Sequence, residues 1–165
     1  KLYLIRNHGL KDRNNVEIFG YNSRLDTIQA AVANYKMKNK LDNITSKRIK
    51  NAKTLDKLLS KNKNVTTVKR LKYLKEVFHL YHINVKKRDI LQKYLIKNNI
   101  DAKVHYPIPV HLQRAAKYLK YKKGDFPVSE KMANTSLSLP VHEFIDIRHI
   151  KHMVNTINKF YQRHK

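Results

Sequence analysis

The stretch Val77-Phe78-His79-Leu80-Tyr81-His82-Ile83-Asn84-Val85 is the most strand-like in the chain, with aromatic and β-branched residues on both alternating faces. It predicts a strand at the centre of a sheet. Downstream, Asp89 to Ile96 reads as a helix whose apolar side is Ile90, Leu91, Tyr94 and Leu95, ended by Asn98-Asn99. A short strand is expected over Ala102 to His105. Pro107 and Pro109 then hold the chain extended, so His105 to His111 is a stiff loop leaving the sheet. Short helices follow at His111 to Leu119 and Val128 to Asn134, separated by Gly124-Asp125-Phe126-Pro127. Ser136 to Leu139 is extended and stops at Pro140. The last helix has Asp146 as its N-cap and an apolar stripe of Ile150, Met153, Val154, Ile157 and Phe160.

Upstream, Val65 to Val68 has β-branched character. From Leu25 the period is helical, and Leu41, Ile44, Ala52, Leu55 and Leu59 fall within roughly 80° of arc at 3.6 residues per turn. With no Gly or Pro between Tyr21 and Asn99, one long helix, or two nearly collinear ones, is expected over about 25 to 61. Residues 1 to 24 read as irregular chain, with Gly20 in a backbone conformation closed to other residues. The sum is an α/β fold of α+β-like, two-layer form, in which helices cover a small sheet of three to four strands and a long helix leads in.

At 165 residues and 41% hydrophobic, the chain is long enough for one domain with a real core. It has no cysteine, which excludes disulfides, thiolate metal sites and cysteine nucleophiles and is compatible with a cytoplasmic location. No uninterrupted apolar run approaches the roughly 20 residues that span a bilayer, so no membrane association is expected. The formal charge of +24 raises nucleic acid as a partner. The lysines are nevertheless spread along the chain among abundant Asn and Ile, as AT-rich coding would produce, and no RNP or OB signature accompanies them. Among the nine histidines, His149 and His152 are spaced i,i+3 with no acidic residue at ligand spacing and read as solvated side chains. His79 and His82 should point to opposite faces of their strand. No metal site is supported. With three glycines, the chain also lacks Gly-rich phosphate loops, and no catalytic triad is evident.

Four segments carry a further pattern: Arg6-Asn7-His8-Gly9; Gly20-Tyr21-Asn22-Ser23-Arg24-Leu25-Asp26 running to Ala31; His105-Tyr106-Pro107-Ile108-Pro109-Val110-His111; and Gly124-Asp125-Phe126-Pro127 to Leu139-Pro140. In order and content they resemble the DegT family of pyridoxal-phosphate (PLP) aminotransferases, which act on nucleotide-linked keto sugars. The resemblance covers the C-terminal part of such enzymes. It implies the aspartate aminotransferase fold, with residues 1–35 as a remnant of the large-domain and dimer-interface segment and 36–165 as the C-terminal small domain of a fold-type I PLP enzyme. It implies that Asn22 reaches the PLP phosphate of the partner subunit, an amide NH2 being able to donate to phosphate without a charge. From the residues alone, Asn22 caps the helix beginning near Leu25 equally well. Arg24 suits a phosphate or carboxylate, or else pairs with Asp26.

The resemblance also places the His105 to His111 loop near the active-site mouth, where His105, Tyr106 and His111 would contact a sugar or nucleotide, with His8 a weaker candidate. The alternative is a rigid connection with Tyr106 in the core. No segment resembles the family's Schiff-base lysine motif, so the chain is expected to hold no catalytic residue of its own and not to transaminate alone. It would be a truncated or split gene product served by a lysine-bearing large-domain chain in a homodimer-like assembly. A basic nucleic-acid-binding module and a gene remnant are the alternatives.

Overall fold

The structure, a computed structural model, describes residues 1–164, with side chains for all of these but Arg114 and Ala115. Two compact units result, Lys1–Asp42 and Asn43–Lys165.

In the first unit, α1 spans Leu2–Arg6 and α2 spans Thr27–Asn39. The expectation of irregular chain over 1–24 is corrected by α1 and by two antiparallel bridges, Asn7 with Asn22 and Leu10 with Val16. Gly20 is also corrected. Its φ is not positive, and what requires glycine is close approach, since a Cβ there would lie 2.5 Å from Gly9 N and 2.7 Å from Ile5 O. Gly9 takes the left-handed conformation instead, at φ 75°. α2 buries no residue, and its Ile28, Val32, Tyr35 and Met37 are exposed.

The expected helix over 25–61 is two helices. α3 begins at Leu41 and runs to Leu59, and Lys40 between them leaves helical geometry at φ −128°, ψ −25°. No Gly, Pro or side-chain cap accounts for that break. Of the expected stripe on α3, Ala52, Leu55 and Leu59 are buried, whereas Leu41 is exposed.

In the second unit, β1 (Val65–Thr67), β2 (Tyr81–Val85) and β3 (Ser136–Leu139) form an antiparallel sheet in the order β1-β2-β3, so the strand anticipated as central is central. It is shorter than its sequence suggests, because Phe78 adopts a left-handed φ of 55° that ends the extended run. Its two faces also differ. Tyr81, Ile83 and Val85 are buried, and across the ladder Tyr81 lies opposite Leu139 and Ile83 opposite Leu137. The other face is polar, with His82 opposite Ser138 and Asn84 opposite Ser136. The anticipated strand at 102–105 is reduced to one bridge between Lys103 and Ser138, and Pro107 and Pro109 beyond it have no N–H to extend a ladder.

Helices cover the apolar face. α4 (Arg88–Lys97) contributes Leu91 and Leu95, and α6 (Ile147–Arg163) contributes all five stripe residues, Ile150, Met153, Val154, Ile157 and Phe160. They join Ala52, Leu55 and Leu59 of α3 in one core cluster with the strands. α5 (Pro127–Thr135) starts with proline at a position that needs no N–H donor. The helix expected at His111 to Leu119 is two 3-10 turns, Val110–Leu112 and Arg114–Leu119, parted by extended Gln113 at ψ 147°.

Two polar devices join these layers. Asn51, buried on α3, donates to the carbonyls of His142 and Ile145, both at 3.1 Å, and so ties down the turn before α6. Asp146 caps α6, accepting from the N–H groups of Arg148 at 2.8 Å and His149 at 3.1 Å. His149, expected to be merely solvated, completes a capping box by accepting from the Asp146 N–H at 3.2 Å.

Two outcomes follow from this packing. Phe160 is fully buried, with its ring 5.5 Å from Tyr94 and 5.0 Å from Tyr161. Phe160→Ala should cost about 3–5 kcal/mol, read as a lower urea midpoint with an unchanged slope. The side chain of Arg148, followed by the His149 N–H, holds the Asp146 carboxyl well below the usual carboxylate range. A carboxylate depressed by folding stabilises fully above its unfolded value of about 3.9 and progressively less below it. Denaturation between pH 3 and 7 should therefore find Asp146→Asn less stable than the natural chain at neutral pH, with the gap closing as pH falls below about 4.

Candidate functional site

In the unit Lys1–Asp42, the segments Arg6-Asn7-His8-Gly9 and Gly20 to Arg24 are laced together through the backbone. The N–H of His8 donates to Tyr21 O at 3.0 Å, that of Tyr21 to Ile5 O at 2.7 Å and that of Ser23 to Arg6 O at 2.8 Å. Left-handed His8 (φ 57°) and Gly9 turn the chain tightly enough for this approach. Asn22 is thereby set beside Asn7, with its side chain exposed and without a hydrogen-bond partner among the described residues. It does not cap α2, whose N-cap is Asp26. Arg24 makes no ion pair with Asp26 among the described residues. It lines a concavity of about 640 Å³ together with Arg6, Asn7 and Lys11. His8 is exposed and lies outside that lining. Arg6, Arg24 and Lys11 thus border one concavity suited to an anion, with Lys11 also 3.7 Å from Glu17, whereas Asn22 lies outside its lining. Sequence reasoning did not single out Arg6 or Lys11, although Arg6 opens the first motif.

In the unit Asn43–Lys165, His105 and His111 are held by different partners. His105 Nδ1 lies 3.0 Å from Ser138 Oγ, and the same hydroxyl lies 3.0 Å from His82 Nδ1. Burial, then the neighbouring His105, pushes the His82 imidazole below its ordinary value. His79, anticipated on the same strand as His82, precedes β2 and is exposed. Tyr106 is 73% exposed, which overturns the reading that packs it in the core and leaves its hydroxyl accessible.

His111 is engaged internally. Its Nε2 lies 3.1 Å from Glu130 Oε1, its ring is 4.8 Å from that of Phe126, and Glu130 Oε1 also accepts the Gly124 N–H at 2.7 Å. The Gly124 N–H first, and His111 after it, hold the Glu130 carboxyl below its usual value. The loop at 105–111 and the segment at 124–127 are therefore parts of one latch. His111 acts on the loop's position, with its side chain only 8% exposed.

The same geometry tests the fit to PLP. The exposed Asn22 amide and, separately, the arginines of the concavity are groups that suit a phosphate. A lysine able to hold the PLP ring must lose its proton through burial or a charged neighbour, whereas every described lysine is exposed. Among the described residues no three His, Asp or Glu side chains gather as a metal site would require, and no helix is long and apolar enough to cross a membrane.

Residues 1–158 match the profile of the DegT/DnrJ/EryC1/StrS aminotransferase family. Over 98% of its length the chain is 39% identical to the pleiotropic regulatory protein of Geobacillus stearothermophilus, covering 44% of that protein. It is 31% identical over 97% of its length to the dTDP-3-amino-3,6-dideoxy-alpha-D-galactopyranose transaminase of Aneurinibacillus thermoaerophilus, covering 43% of it. Among solved structures, DesV of S. venezuelae in complex with a ketimine intermediate superposes with a TM-score of 0.90 at 28% identity, over 98% of this chain and 43% of DesV. Helicobacter pylori PseC, an aminotransferase involved in the biosynthesis of pseudoaminic acid, gives 0.84 at 26% identity, over 98% and 45%. The chain spans less than half the length of these relatives. With four motifs laid out in the family's order and a profile match over nearly its whole length, the chain belongs to the DegT/DnrJ/EryC1/StrS aminotransferase family.

Proposed function

We propose that this chain contributes the C-terminal part of a PLP-dependent aminotransferase acting on nucleotide-linked keto sugars, in the cytoplasm and in amino-sugar or surface-polysaccharide synthesis. Residues 1–35 belong to the large-domain and dimer-interface segment, and 36–165 form the small domain. The observation that carries this reading is the exposed Asn22 amide, held by backbone lacing beside Asn7, which itself lines the concavity of Arg6, Lys11 and Arg24. Asn22 donates to the phosphate of PLP held by the partner subunit in a homodimer. Bound PLP supplies the electron sink for amino-group transfer. His105 and Tyr106 meet the sugar or nucleotide from the small domain, where Tyr106 offers an exposed hydroxyl and the latch through His111 steadies the loop.

The lysine that holds PLP comes from another part of the enzyme or from a separate large-domain chain, because the described lysines are exposed. The 165 residues alone, incubated with PLP and reduced with borohydride, should retain no stoichiometric label at any one lysine. Labelling of a single lysine that is lost on its replacement would overturn the need for another source. In the assembled enzyme, Asn22→Ala should weaken PLP about tenfold, the size expected for a hydrogen bond to a charged group, with little change in folding stability. Fluorescence titration of PLP measures this, and unchanged affinity would remove Asn22 from the site.

A further inference from the structure

Between α3 and the segment 68–78 that leads into β2 lies a cavity of about 870 Å³. Its apolar lining comes from Ile49, Val68, Leu71, Leu74 and Phe78. Ile49 and Phe78 continue into the core, whereas Val68, Leu71 and Leu74 stay 43%, 42% and 61% exposed. The last two flank a turn closed by the Leu74 N–H, which donates to Leu71 O at 3.1 Å. Apolar carbon held against water in a concavity is a source of binding free energy for whatever displaces that water.

The charged groups of the lining fall into two sets. Arg70 is saturated: it donates to Asp56 at 3.2 Å and to the two oxygens of Glu76 at 3.0 and 2.9 Å, and its guanidinium lies 4.9 Å over the Phe78 ring. Asp56 also accepts the Tyr81 hydroxyl at 2.7 Å, so these groups answer one another and leave a ligand little to bind. Lys53, Lys69, Lys72 and Lys75 are exposed and have no acidic partner among the described residues. With five cations against two carboxylates the lining carries a net charge of +3, and the unmatched part sits on flexible ammonium groups that attract an anion without fixing its geometry. Size decides the kind of occupant. The volume falls within the roughly 300–1,000 Å³ of small-molecule sites, whereas a stable protein partner needs roughly 20–30 residues a side and the lining has twelve. From Ile49 to Asp56 the α3 wall runs two turns, about 10 Å, which is room for a chain as well as a head group.

We propose that this cavity binds a single-chain anionic amphiphile, with its apolar chain against Ile49, Val68, Leu71, Leu74 and Phe78 and its phosphate head held by Lys53, Lys69, Lys72 and Lys75. The site lies within the unit Asn43–Lys165 and uses neither PLP nor Asn22, His105 or Tyr106, so it stands apart from the aminotransferase reading.

Amide NMR of the full chain tests the proposal, by titration with decyl phosphate below its micelle concentration and with hexyl phosphate, decanol and inorganic phosphate alongside. Saturable shifts are expected at Ile49, Lys53 and residues 68–78, with affinity rising by up to about fourfold for each methylene between hexyl and decyl phosphate. Decanol should bind several-fold more weakly than decyl phosphate. Leu74→Asn, at an exposed position, should weaken decyl phosphate about tenfold with an unchanged thermal midpoint. Lys72→Gln combined with Lys75→Gln should weaken decyl phosphate several-fold and leave decanol unaffected. Equal affinity for hexyl and decyl phosphate, equal affinity for decanol and decyl phosphate, or the same shifts with inorganic phosphate would each overturn the proposal. Phosphatidylglycerol vesicles that shift these amides when monomeric decyl phosphate does not would assign the patch to a membrane surface and overturn it as well.

Discussion

Burial of one face of a five-residue strand organises the larger unit. Tyr81, Ile83 and Val85 of β2 pack with Leu137 and Leu139 of β3 and with the inner faces of α3, α4 and α6. At roughly 1.5–3 kcal/mol for each large side chain removed from water, this cluster is the main favourable contribution to the fold. Tyr81 imposes a condition on its surroundings, because a buried phenol needs a partner. Its hydroxyl donates to Asp56 at 2.7 Å, and Asp56 meets Arg70, which also holds Glu76. The Arg70 guanidinium lies over the rings of Phe78 and Tyr81, at 4.9 and 5.5 Å. Burial, followed by Asp56, pushes the Tyr81 phenol far above its ordinary value, so it remains a neutral donor at any working pH.

The strict alternation of a strand puts chemistry on the opposite face. If Tyr81 and Ile83 face the helices, His82 and Asn84 must face away, and the ladder sets Ser138 and Ser136 opposite them. Ser138 is thereby fixed within reach of two histidines, and the same residue forms the bridge to Lys103 that starts the loop carrying His105 and Tyr106. Asn84 accepts from Thr135 at the end of α5, the helix that also carries Glu130 of the latch to His111. The two histidines of one motif thus serve different ends. His105 looks into a cavity, and His111 secures the loop.

Charge plays a narrower part than its excess suggests. The described lysines are exposed, which is the inexpensive way to carry +24. The arginines do more specific work in holding the structure together, as Arg48, Arg70 and buried Arg88 show through their bonds to Glu143, Asp56 and the Ser136 carbonyl. In the smaller unit, Arg6 and Arg24 lie beside one concavity because the backbone lacing between their segments brings them there.

Elements with a local cause were legible from residue order. Asp146 as a cap, the stripe of α6, the proline start of α5, the bounds of β3 and the central place of β2 all follow from periodicity, capping chemistry and proline geometry. The four motifs likewise marked the family. Features set by distant backbone were not legible. The single bridge at Lys103 and the packing need for Gly20 depend on what lies across space, and the left-handed turn at Phe78 and the break at Lys40 carry no signal in residue order. The pairing of His111 with Glu130, of Ser138 with two imidazoles, and of Arg6 with Arg24 joins residues that share no helical or strand period. Short-range periodicity says which residues lie on one face of an element, and only the folded chain decides which faces meet.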